Sequence, residues 1–90
     1  MSQESNQKIG AIVRSCRLSQ GATQYDLAKA IGVTVMTISM IEQGKIKIPS
    51  KRLGQFCQLL NLPKKRIYNI MVAEYKAKLS KQINNELELI

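Results

Sequence analysis

The residues able to do chemistry in this chain concentrate between Gln24 and Lys51. Thr37, Ser39 and Gln43 offer hydrogen-bond donors and acceptors at helical spacing. Lys45, Lys47 and Lys51 follow as cations, and Gln24 and Tyr25 precede them. Neutral donors beside a row of lysines suit the recognition of a polyanion, with lysines on phosphates and amides or hydroxyls on polar edges. Other chemistries lack their parts. Histidine is absent and the two cysteines, Cys16 and Cys57, are far apart, so metal clusters and Ser/His or Cys/His catalysis have neither ligands nor bases. Each cysteine reads as a small buried hydrophobe of a reduced chain. No cofactor is expected.

Two short helices joined by a tight turn must position these residues. Thr23 is a good N-cap, and Asp26 three positions on completes a T-x-x-D capping box. Leu27, Ala28 and Ile31 sit at helical spacing, and Gly32 is the C′ residue free to take positive φ. Thr34 caps the next helix over 35–43, Ile38 and Ile41 share its inner face, and Gly44 ends it. Ala28 is small enough for the two helices to approach at a steep angle. Such a unit places its second helix in the DNA major groove. At about 100° per residue, Met36 and Met40 fall about 160° and 200° from Ile38 and point outward. Val35 stands on the flank and reaches forward from the first turn. Val35, Met36 and Met40 would then pack on thymine methyls while Thr37, Ser39 and Gln43 bond to bases or phosphates. This set predicts an A·T-rich site. The same exposed methionines also suit a protein partner.

The rest of the chain reads as a frame. A first helix is predicted over 6–19 with Ile9, Ile12, Val13 and Cys16 as its stripe, ended by Gly21. Residues 45–49 form a loop, and Ser50 caps a fourth helix with Leu53, Phe56, Cys57 and Leu60 inward. After Pro63 neither glycine nor proline occurs. One helix over 63–90 would reach roughly 42 Å at about 1.5 Å per residue, with Asn84 and Asn85 marking fraying or a break. Ile67, Met71, Tyr75, Leu79, Ile83 and Leu87 recur in it every fourth residue. That step turns about 40° each time, too fast for a straight coiled-coil seam. The first half is expected to close the core and Tyr75, Leu79, Ile83 and Leu87 to meet a second subunit.

The stretch from Ile9 to about Ile67 resembles the Cro/repressor-type (XRE-like) helix-turn-helix family. The resemblance is carried by Ile9, Gly10, Arg17, Gly21, Thr23, Gln24, Leu27, Ala28, Ile31, Gly32, Val33, Thr37, Ile38, Ser39, Ile41, Glu42, Gly44, Pro49 and Ser50. It implies an all-α fold: a compact five-helix, lambda-repressor-like DNA-binding domain, here with an extended C-terminal helix, usually acting as a dimer. It also implies that Gln24 touches the DNA backbone and that Arg17 pairs with Glu42 as architecture. Readers of this family commonly carry Gln, Asn, Arg or Ser where Met36 and Met40 stand.

Net charge agrees with a polyanion partner. The chain of 90 residues carries +8 at neutral pH. Of this, +5 lies in residues 1–62 and +5 in 63–81, while 82–90 carry −2. The opening MSQESNQK has no apolar signal region and no stretch is apolar enough to span a membrane, which predicts a cytoplasmic protein. The expected organisation is a DNA-binding unit over 1–66 and a C-terminal helix over 67–90. Double-stranded operator DNA is the expected partner of a homodimeric, non-enzymatic regulator, most simply a repressor. No small-molecule ligand or separate sensing domain is evident. An antitoxin-like module that holds a partner protein is the alternative.

Overall fold

The computed structural model describes residues 3–88, with side chains described over 4–84. Five α-helices and one 3-10 turn make up the fold: α1 Gln3–Ser19, α2 Gln24–Ile31, α3 Val35–Glu42, the 3-10 turn Ser50–Arg52, α4 Leu53–Leu60 and α5 Lys64–Glu88. No strand occurs among the described residues, and the fold is the all-α five-helix domain with a long last helix.

Local sequence explains most boundaries. α1 begins three residues before the expected start: Glu4 lies in its first turn, favoured by the helix dipole, and pairs with Lys8 at 3.3 Å. At the other end Ala22 N–H reaches back to the Arg17 carbonyl at 3.2 Å. The cap expected from Ser50 does not form. Pro49, at φ −56°, leads into the tight 3-10 turn, where Arg52 N–H bonds to the Pro49 carbonyl at 2.8 Å. α4 therefore starts at Leu53 with no side-chain cap. It ends on Asn61, which takes the left-handed conformation at φ 50°. α5 runs through Asn84 and Asn85 without a break.

The core gathers Ile9, Ile12 and Val13 of α1, Leu27, Ala28 and Ile31 of α2, Ile38 and Ile41 of α3, Phe56 and Leu60 of α4, with Ile48, Leu62 and Ile67. Cys16 and Cys57 are free thiols, half-buried against this cluster rather than fully inside it. α1 and α3 approach closely at Gly10. A Cβ there would meet the carbonyl oxygens of Ile41 and Glu42, the latter at 2.9 Å. Gly44 combines φ 76° with a site where a Cβ would lie 2.7 Å from Gln7 Cα. Both positions require glycine.

Ile67 of α5 is buried and Ile70 packs against the core, but Tyr75, Leu79 and Ile83 are exposed. The four-residue step explains this. Each step turns the stripe about 40°, so it leaves the domain within two turns. The helix itself continues outward, giving a molecule 54 Å long and only 24 by 19 Å across. Leu87 lies in the helix, but its side chain is outside the described residues.

Candidate nucleic-acid interface

The α2–α3 unit is closed by capping at both helix starts. Asp26 N–H donates to Thr23 Oγ1 at 3.0 Å and Thr23 N–H donates to Asp26 Oδ2 at 2.9 Å, a full capping box. The Thr23 backbone N–H, then its hydroxyl, with Lys29 adding a lesser attraction, hold the Asp26 carboxyl below its ordinary pKa. The box leaves the N–H groups of Gln24 and Tyr25 with no intrahelical acceptor. Tyr25 is exposed and Gln24 half-buried. Gly32 closes α2 in the left-handed conformation, its N–H on the Ala28 carbonyl at 2.8 Å. Thr34 then caps α3, accepting from Thr37 N–H at 3.1 Å.

The far ends of α1 and α3 are locked together by charge. Arg17 Nε donates to Glu42 Oε2 at 2.7 Å and Nη2 to Oε1 at 2.9 Å, a two-pronged pair. Arg17 Nη1 donates to the Ala22 carbonyl at 2.9 Å, and Gln24 Nε2 donates to Glu42 Oε1 at 3.1 Å. The two charged side chains are only 8% and 3% exposed. Hydrogen bonding to Glu42 raises the Arg17 pKa above its ordinary value despite the opposing cost of burial. One carboxylate thus ties α1, the α2 N-terminus and α3 into a fixed frame.

The outer face of α3 is uneven. Met36 is its most exposed residue at 71%, with Val35 at 40% beside it. Met40, expected to point outward as fully as Met36, is half-buried. The chain turns at Gly44, with Lys45 N–H on the Met40 carbonyl at 2.9 Å. The polar residues of the face are already engaged with each other. Gln43 Nε2 donates to Ser39 Oγ at 2.7 Å, and the Thr37 and Thr34 hydroxyls lie 2.9 Å apart. Lys45 and Lys47 follow in the exposed loop, and Lys51 is exposed on the 3-10 turn.

Arg52, next to Lys51 in the 3-10 turn, is occupied within the protein. Its Nη1 donates to the Ile31 carbonyl at 3.2 Å and to Gln55 Oε1 at 3.1 Å. It thereby caps the C-terminal end of α2, a role that spacing in sequence did not reveal, since the partners are brought together only by the fold. Gly10 is visible in the sequence through the family resemblance, but its close approach to α3 is a feature only its mid-helix position could have signalled.

A family model for the helix-turn-helix matches residues 13–67, which is more than half of the chain. The chain belongs to the Cro/C1-type helix-turn-helix family. DNA binding in transcription regulation goes with membership of that family. Two solved structures of the clp gene regulator ClgR from Corynebacterium glutamicum are similar to this helix-turn-helix protein. One has 22% identity and a TM-score of 0.64, covering 92% of this chain and 88% of the other. The second has 26% identity and a TM-score of 0.64, covering 77% and 88%. Among curated protein sequences there is no significant match. Among the described residues no helix is long and apolar enough to cross a membrane.

Proposed function

We propose that this helix-turn-helix protein is a sequence-specific repressor that binds a two-fold, A·T-rich operator as a homodimer in the cytoplasm. The observation that carries the reading is the outer face of α3. Met36 and Val35 stand exposed on α3, which in the chain follows the capped start of α2 and precedes the exposed lysines of the loop. Placed in a major groove, Val35 and Met36 contact thymine methyls, and Ser39 and Gln43 exchange their mutual bond for base edges. Thr37 and Met40 line the sides. Lys45, Lys47 and Lys51, with the N–H groups of Gln24 and Tyr25, hold the flanking phosphates. Arg17 and Glu42 keep this face in register without reading bases.

Residues 1–66 form the DNA-binding unit. Residues 67–90 complete the core through Ile67 and dimerise through Tyr75, Leu79, Ile83 and Leu87, which sets two reading helices about 34 Å apart. The similar solved structures are those of ClgR, a clp gene regulator, and a regulatory role for this chain is consistent with them. Selection of bound DNA from a random pool tests the reading: a symmetric, A·T-rich motif is expected, and a selection without any motif overturns it. The exposed Tyr75, Leu79 and Ile83 favour a second reading, an antitoxin-like module whose long helix holds another protein. Co-purification of a small protein in equal amount, together with a motif-free selection, is the result that favours it.

A further inference from the structure

With Tyr75 taken as zero and about 100° per residue, Tyr68, Val72, Leu79 and Ile83 of α5 all fall between about 0° and 80°. Only two other residues of α5 share that sector, Lys65 near its start at about 80° and Glu86 near its end at about 20°. Ile67 and Ile70, which close the core, lie nearly opposite at about −80° and −140°. The strip is thus turned away from the domain. Tyr68 is 66% exposed, Tyr75 67%, Leu79 44% and Ile83 47%, and Val72 is half-buried among them. From Tyr68 to Ile83 it runs about 22 Å at about 1.5 Å per residue, and an exposed apolar strip of that length marks an interaction surface.

The strip matches its own reverse. A second copy laid antiparallel, with a two-fold axis between positions 75 and 76, brings Tyr68 to the partner's Ile83 and Val72 to the partner's Leu79. The same axis sets Tyr75 beside the partner's Tyr75 and Lys65 opposite the partner's Glu86, once at each end. A parallel pair in register would set lysine on lysine and glutamate on glutamate. We infer that a second copy of this chain covers the strip, α5 against α5 in antiparallel orientation, with Lys65 and Glu86 pairing at both ends. A two-fold interface needs such self-complementarity, and a partner of another sequence does not. The apolar strip supplies the affinity and the end charges choose the orientation. Lys76, exposed beside Tyr75, flanks the axis and keeps its ammonium in water. The inference rests on the homodimer proposed above and gives it a geometry; Tyr75, Leu79 and Ile83 stay in the interface and position 87 falls on its flank.

Sedimentation equilibrium of the full chain, at low and at high salt, is the test. The wild type is expected to dimerise, and Leu79→Lys to raise Kd at least about hundredfold. Lys65→Glu and Glu86→Lys each turn both end pairs repulsive, so each is expected to raise Kd about three- to tenfold at low salt and less at high salt. Combined in one chain they restore the attraction, and Kd returns to within about twofold of wild type. Lys81→Glu, the same change of net charge off the strip, is the control for Lys65→Glu and is expected not to raise Kd. Lys65 and Leu79 are exposed, so their variants keep the fold, which circular dichroism checks. In a parallel pair neither single reversal moves Kd, because one like-charge contact replaces another. A dimer that ignores the single reversals, or that the double variant fails to restore, overturns the antiparallel pairing and leaves the homodimer standing. A dimer indifferent to Leu79→Lys overturns the strip as its interface. A wild type that stays monomeric at every concentration overturns the pairing and the homodimer together.

Discussion

Glu42→Ala is the perturbation that most directly examines how the reading helix is held. In the wild type the Glu42 carboxylate accepts two bonds from Arg17 and one from Gln24, at 2.7, 2.9 and 3.1 Å. Its side chain is 3% exposed and that of Arg17 is 8% exposed. Truncation leaves the guanidinium under the surface with only the Ala22 carbonyl as a partner. Breaking a buried pair from one side costs about 3–5 kcal/mol. A domain of this size has a total stability of about 5–15 kcal/mol, so the loss is a large share of it. At about 4–8 °C per kcal/mol, Tm falls by roughly 12–40 °C. Replacing both partners by apolar residues, Arg17→Met with Glu42→Leu, restores most of this loss, because no charge is then stranded. Urea denaturation followed by circular dichroism measures all members of the cycle. A loss below about 1 kcal/mol for Glu42→Ala, or a double variant less stable than it, refutes the reasoning.

Gly10→Ala should destabilise by about 1–3 kcal/mol or more, because the new Cβ meets the Ile41 and Glu42 carbonyls and must push α1 from α3. Thermal melts check it against Ala11→Gly, an exposed control expected to cost only about 1 kcal/mol. Asp26→Asn tests the capping box through pH. The folded Asp26 carboxyl lies below its ordinary value of 3.8, so its contribution is present above that pH and disappears as pH falls through the folded value. The Tm gap between wild type and Asp26→Asn is therefore expected to be constant from pH 7 to 5 and to close below about pH 4. Replacing Lys45 and Lys47 together by Gln should lower the slope of log K against log salt by about 2 without changing the selected motif. Met36→Ala should instead relax the motif at one A·T position and weaken binding by roughly 1–2 kcal/mol, at about 0.8 kcal/mol per buried methylene.

What the sequence made legible, and what it did not, follows the range of the interactions. Thr23 with Asp26, Gly32 and Thr34 are local signals, each satisfied within four residues, and all appear in the structure as caps. The buried stripe of α1 and the inner face of α3 came from periodicity and were equally readable. Ser50 was misread because a polar residue after proline resembles an N-cap; the carbonyl of Pro49 captured Arg52 N–H first and tightened the chain into a 3-10 turn. Met40 is half-buried where a helical wheel points it outward, because a wheel treats the helix as isolated from the rest of the fold. Arg52 on the Ile31 carbonyl spans 21 positions, and no spacing rule reaches that far.

The same distinction of range bears on how this face can work. Bonds within α3, such as Gln43 to Ser39 at 2.7 Å, are exposed and can be exchanged for base edges with little loss, because water competes for them in the free protein. The Arg17–Glu42–Gln24 cluster is buried, joins three elements and cannot be exchanged without leaving a charge unpaired. Glu42 takes one Gln24 N–H, which fixes the Gln24 side chain and leaves its other N–H for the phosphate contact proposed above. The α2 N-terminus and α3 are thereby held in one register, so the phosphate and base contacts proposed for them would be set before DNA arrives. A chain with the exposed bonds locked and the buried ones loose would bind duplex of any sequence in several orientations. The observed arrangement has exchangeable bonds on the exposed face of α3 and a rigid joint where the helices meet, and sequence preference can arise from such a division.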